Sequence, residues 1–109
     1  MNIIIGDIGN TITKVCLVEN KNYKIKKIIY FSSNKIYSYR GLISIFNKII
    51  KSREVHKIAL FSSVVPKYEL LMKSFLRKKY HIYLKEIKDK KIKKIVKIIV
   101  KNKKQVGSD

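Results

Sequence analysis

The chain has 109 residues, with 26 Lys and Arg against 7 Asp and Glu and a formal net charge of +19. That length suits one domain rather than two, and a hydrophobic content of 46% allows a buried core and excludes a disordered tail. No apolar run approaches the roughly 18 residues of a membrane-spanning helix, and one cysteine with two histidines excludes a disulfide framework and argues against a structural zinc site.

In chain order, Asn2-Ile3-Ile4-Ile5-Gly6-Asp7 is a short β-branched run bounded by Gly, which predicts a buried strand. Asp7 interrupts this first apolar run and no small-residue cleavage site follows, so a secretion signal is not expected and the cytoplasm is. Gly9-Asn10 reads as a tight turn. From Thr11 to Glu19 the residues alternate, with Thr13, Val15 and Leu17 on one face and Lys14, Cys16 and Val18 on the other. Asn20-Lys21-Asn22 is a second turn. A third alternating run, Tyr23 to Phe31, places Tyr23, Ile25, Ile29 and Phe31 on a shared face, interrupted by Lys27. Three strands joined by short turns predict an antiparallel meander.

Ser32-Ser33-Asn34 breaks the alternation. Leu42, Ile45, Phe46 and Ile49 then recur at helical spacing. Lys57 to Phe61 reads as a short buried strand, and Pro66 suits the first turn of a helix with Tyr68, Leu71, Met72, Phe75 and Leu76 on its apolar face. A fifth strand is expected over His81 to Lys85, so the order is βββαβαβ and the class α/β. Beyond it, Ile92, Ile95, Val96 and Ile99 fit a helix, but Ile95 to Val100 fits a strand equally.

The charge points less to nucleic acid than its size suggests. Lysine supplies 23 of the basic residues, and only Arg40, Arg53 and Arg77 are arginine, whereas base-edge and bidentate phosphate recognition favour arginine. Lys, Ile, Asn and Tyr share AT-rich codons, so an AT-biased genome accounts for most of the excess. The densest stretch, Lys85 to Lys104 with ten lysines, is the basis for an alternative reading as a basic nucleic-acid-binding module. Specific nucleic-acid or membrane partners are not expected.

The run Asp7-Ile8-Gly9-Asn10-Thr11-Ile12-Thr13-Lys14 carries the most chemistry. Gly9 permits close backbone approach. Turn N–H groups and the Asn10, Thr11 and Thr13 side chains can donate to phosphate oxygens, Lys14 adds positive charge, and Asp7 can hold Mg²⁺ directly or through water. The same residues also describe an ordinary hairpin turn capped by Asp and Asn. Cys16 reads as a buried mid-strand residue rather than a nucleophile.

Asp7-Ile8-Gly9-Asn10-Thr11 resembles the Asp-x-Gly-Asn-Thr phosphate motif of type III pantothenate kinases, in the superfamily of actin and the sugar and acetate kinases. Ser62-Ser63-Val64-Val65-Pro66 resembles that family's Ser-Ser-Val-Val-Pro segment. Val106-Gly107-Ser108-Asp109 is similar to the Val-Gly-Ala-Asp part of its Val-Gly-Ala-Asp-Arg motif. The resemblance implies a ribonuclease H-like (actin-like ATPase) domain, a mixed sheet flanked by helices. It implies transfer of the ATP γ-phosphoryl group to the 4′-hydroxyl of pantothenate, the first step towards coenzyme A. Asp7 to Lys14 would then bind ATP, Gly107, Ser108 and Asp109 would line the pantothenate site, and Asp109 would be the general base. Mg²⁺, a monovalent cation (K⁺ or NH₄⁺) and a homodimer are further implications.

The resemblance also makes residues 1–109 the first domain of a two-domain kinase, with the second domain outside the chain and no activity expected from the first alone. The sequence departs from the family at Val100, where a Tyr that contacts pantothenate is usual. It departs again between Lys85 and Lys101, where Lys and Ile replace a Gly-rich stretch. These departures leave a second alternative, a non-catalytic family member acting as an accessory factor.

Overall fold

The three β-rich runs at the start of the chain pair with their nearest neighbours, as their short turns require. In this computed structural model, which describes residues 1–22, 24–51 and 54–87, β1 (Asn2–Ile8), β2 (Ile12–Glu19) and β3 (Ile25–Ser32) form the expected antiparallel meander. A 3₁₀ turn (Ser33–Tyr37) then leads through α1 (Tyr39–Ile50), β4 (Ile58–Ser63), α2 (Pro66–Tyr80) and β5 (Tyr83–Glu86). The order is the βββαβαβ read from the sequence. The 3₁₀ turn is an addition, placed where the Ser-Ser-Asn run breaks the alternation.

β4 lies parallel beside β1 and β5 parallel beside β4, so the mixed sheet has the order β3-β2-β1-β4-β5. β1 is therefore central and apolar on both faces. That position explains why Ile3-Ile4-Ile5 is an unbroken run instead of an alternation. Both described helices pack on one face. α1 buries Leu42, Ile45, Phe46 and Ile49, the stripe its spacing predicts, and its first turn is capped by Ser38, whose side chain accepts from the Gly41 N–H at 3.0 Å. α2 starts with Pro66 and buries Met72, Phe75 and Leu76, while Leu71 lies at the edge of that face, 37% exposed. The Phe46 and Phe75 rings join the helices, with centroids 5.6 Å apart. Among the described residues no helix is long and apolar enough to cross a membrane.

Two details correct the sequence reading. Ile25 does not share a face with Ile29 and Phe31. It packs with Ile28 and Tyr30 against Ile5, Cys16 and Val18, on the side away from the helices. The cause is a bulge, because Leu17 pairs with Lys27 but Val18 pairs with Ile25. One extra residue reverses the phase of Ile25 relative to Ile29 and Phe31. His81 does not open β5. It takes a left-handed conformation (φ 58°) and closes α2, its N–H donating to the Arg77 carbonyl at 3.1 Å. Tyr23 and everything from residue 88, including the ambiguous Ile92 to Val100 stretch, fall outside the described residues.

Candidate functional site

The carboxyl ends of the adjacent parallel strands β1 and β4 assemble two segments that stand far apart in the sequence. In register, Asp7 faces Ser62 and Ile8 faces Ser63 on one side, while Asp7 faces Lys14 on the other. Directly paired residues share a face of the sheet, so Lys14, Asp7 and Ser62 form a row across three strands. This row lies on the face opposite the two described helices. Asp7 is half-buried, and among the described residues its carboxylate has no hydrogen bond and no ion pair.

The turn beside it is built from Gly9 to Ile12. The Gly9 N–H donates to the Ile12 carbonyl at 3.1 Å, and a Cβ on Gly9 would stand 2.7 Å from that same oxygen. The need for glycine thus already exists inside the turn, before any ligand approaches. Asn10 and Thr11 are exposed, and their backbone N–H groups have no partner among the described residues. Exposed amides at a tight turn form an anion-facing concavity. Ile12 is 45% exposed and borders it.

Thr13 behaves differently from its neighbours. It is fully buried, and its hydroxyl lies 2.7 Å from the Ser33 Oγ on the helix side of the sheet. The expectation of a Thr13 hydroxyl facing phosphate therefore gives way to one turned inward, because residue 13 falls on the core-facing phase of β2. Ile8 likewise buries its side chain in the main core, and its carbonyl accepts from the Val64 N–H at 3.1 Å. What Ile8 contributes is backbone position.

Ser63 shapes the exit from β4. Its Oγ donates to the Val65 carbonyl and accepts from the Val65 N–H, both at 3.1 Å, turning the chain into α2. Ser62 is buried in the row beside Asp7. Gly6 belongs to this corner as well, since a Cβ there would overlap the ring of Phe61, its partner in the register. Strand β1 can lie this close to Phe61 only without a side chain at residue 6.

Asp7 also fits the divalent ion expected there. Among the described residues no three His, Cys, Asp or Glu cluster, so a cage made wholly of protein ligands is not present. A lone free carboxylate suits Mg²⁺, which retains water ligands and takes others from phosphate oxygens. Cys16 is no nucleophile, since burial pushes its thiol up to about 12. Asp109, Gly107, Ser108 and Val100 lie outside the described residues. Sequence reasoning missed Ser33, which stands behind the turn. It is 20 residues from Thr13, and no local spacing marks the pair.

Comparison with known proteins gives concordant matches. The family model for type III pantothenate kinase matches residues 3–109. A protein of Pelagibacter ubique (strain HTCC1062) named type III pantothenate kinase is 43% identical over 107 residues, covering 98% of this chain and 42% of that protein. The chain thus spans about two fifths of the length of the curated relative it matches.

Proposed function

The chain belongs to the type III pantothenate kinase family, and we propose that its residues form the ATP-binding side of an enzyme that phosphorylates pantothenate on its 4′-hydroxyl. The observation that carries this reading is the register Asp7–Ser62, which sets the Asp-x-Gly-Asn-Thr turn beside the Ser-Ser-Val-Val-Pro segment. The meander followed by two parallel strands, in the order β3-β2-β1-β4-β5, supports the finer assignment to the ribonuclease H-like, actin-like fold. On that assignment residues 1–109 are the first of two domains.

In the proposed reaction the Asn10 and Thr11 amides and the Lys14 ammonium receive the phosphate oxygens of ATP. Their fixed positive ends offset the charge of the transferring group, which is where phosphoryl transfer gains most of its rate. Asp7 would hold Mg²⁺, whose chemistry is to screen the phosphate oxygens. Asp109 accepts the proton of the pantothenate hydroxyl as that oxygen bonds to the γ-phosphorus, and ADP leaves with the bridging oxygen. Gly107 and Ser108 line the acceptor site. A monovalent cation, K⁺ or NH₄⁺, a homodimeric enzyme and a cytoplasmic location complete the proposal.

The test is a pantothenate-dependent assay of ADP release on the intact protein that carries these residues. Turnover that falls about 100-fold or more in Asp7→Asn is the expected result. An intact protein that neither binds ATP nor phosphorylates pantothenate refutes the proposal, and one that binds ATP without turnover favours the accessory-factor alternative. Residues 1–109 alone are expected to show no steady turnover, because such kinases close two domains around the nucleotide.

A further inference from the structure

Ser33 touches the Gly9–Ile12 turn in two places. Its Oγ donates to the Gly9 carbonyl at 2.7 Å, and its backbone N–H donates to the Thr11 carbonyl at 2.8 Å. The side chain is fully buried. A serine hydroxyl has one proton, and here it goes to Gly9. The contact with Thr13 at 2.7 Å therefore runs the other way, with the Thr13 hydroxyl donating to the Ser33 Oγ. The result is a relay from Thr13 through Ser33 to the Gly9 carbonyl, each bond polarising the next.

We propose that Ser33 is a positioning residue that orients the turn for anion binding by holding two of its carbonyls inward. Two of the turn's carbonyl oxygens, those of Gly9 and Thr11, are bonded by this one residue. A carbonyl oxygen released from such a bond can rotate towards the ligand side, where its lone pairs would repel phosphate oxygens. With both held, these two carbonyls are kept from the side on which the unpartnered Asn10 and Thr11 N–H groups stand. The inference rests on the reading that this turn receives the ATP phosphates, but the constraint on the backbone is independent of it. Ser33 acts from the far side of the sheet and is not a catalytic residue.

The experiment combines steady-state kinetics of the intact enzyme with backbone amide hydrogen exchange, on Ser33→Ala, Ser33→Cys and Ser33→Thr. Ser33→Ala is expected to raise the KM for ATP roughly tenfold and to leave the KM for pantothenate within about twofold. Ser33→Thr, which keeps the hydroxyl, restores the ATP value. Exchange at the two bonded amides of the turn, the Gly9 N–H on the Ile12 carbonyl and the residue-33 N–H on the Thr11 carbonyl, rises about tenfold in Ser33→Ala and stays unchanged in β4 and β5. Ser33→Cys conserves volume with a weaker donor and is expected to fall between, which keeps the test decisive where the alanine variant does not fold.

Equal rises in both KM values, or turn exchange unaltered in folded Ser33→Ala or Ser33→Cys, overturn the proposal. A wild-type enzyme that binds no ATP refutes the phosphate reading instead, and the exchange comparison then still decides whether Ser33 holds the turn.

Discussion

The two faces of the sheet are made from alternate residues of the same strands, yet they carry opposite duties. On the helix side, Ile4, Ile8, Val15, Leu17 and Phe31 meet Phe46, Phe61, Met72 and Leu76 in one continuous core. On the other side the buried apolar set among the described residues is Ile5, Cys16, Val18 and Ile87, and the row Lys14–Asp7–Ser62 begins where it ends. Adjacent residues such as Thr13 and Lys14 fall on different sides of this division. One strand can thus brace a turn from behind and supply charge in front, because side chains alternate with a period of two.

The largest effect expected from breaking this division comes from the core side. Phe46→Ala should lower the unfolding free energy by about 3–5 kcal/mol in urea titration. Asp7→Asn, on the opposite face, should change it by no more than about 0.5 kcal/mol. Equal losses in the two variants would show that the faces are not separable.

Gly6→Ala comes next. Its Cβ must displace the Phe61 ring, an overpacking cost of about 1–3 kcal/mol, and a shift in the β1–β4 register would be visible in cross-strand NMR contacts.

Cys16 sharpens the comparison through pH. Its folded value, about 12, lies above the usual thiol value of 9.0 because burial penalises the thiolate. The folded state then holds the proton where the unfolded chain releases it. The stabilising contribution is complete below about pH 9 and is lost as pH rises towards 12, with a slope of up to about 1.4 kcal/mol per unit. Urea midpoints at pH 8 and pH 10 should separate further in the wild type than in Cys16→Ala.

The smallest effect belongs to Lys26→Ala. It removes an exposed pair with Glu19 at 3.5 Å and should cost at most about 0.5 kcal/mol in the same titration.

Periodicity made much of this legible in advance. The stripe Leu42, Ile45, Phe46 and Ile49, the meander and the proline start of α2 all follow from local rules. The face of Ile25 was not legible, because the bulge near Lys26 arises from pairing with β2 and not from the residues of β3 themselves. His81 has no composition signal for closing a helix, a position where glycine or asparagine is usual. At the candidate site the turn of Asp7 to Lys14 announced itself through its residue types. The inward Thr13 and the role of Ser33 did not, since both depend on a contact across strands.

The register that sets Asp7 beside Ser62 also orders events in time. The β1–β2 hairpin closes over a four-residue turn, and hairpins of this kind form within roughly 1–10 μs. Ser62 arrives only after α1 and its connections have been threaded past, since parallel pairing waits for a long loop to close. On this ordering a nascent chain is expected to form the Gly9–Ile12 turn early and to bring Ser62 alongside Asp7 late.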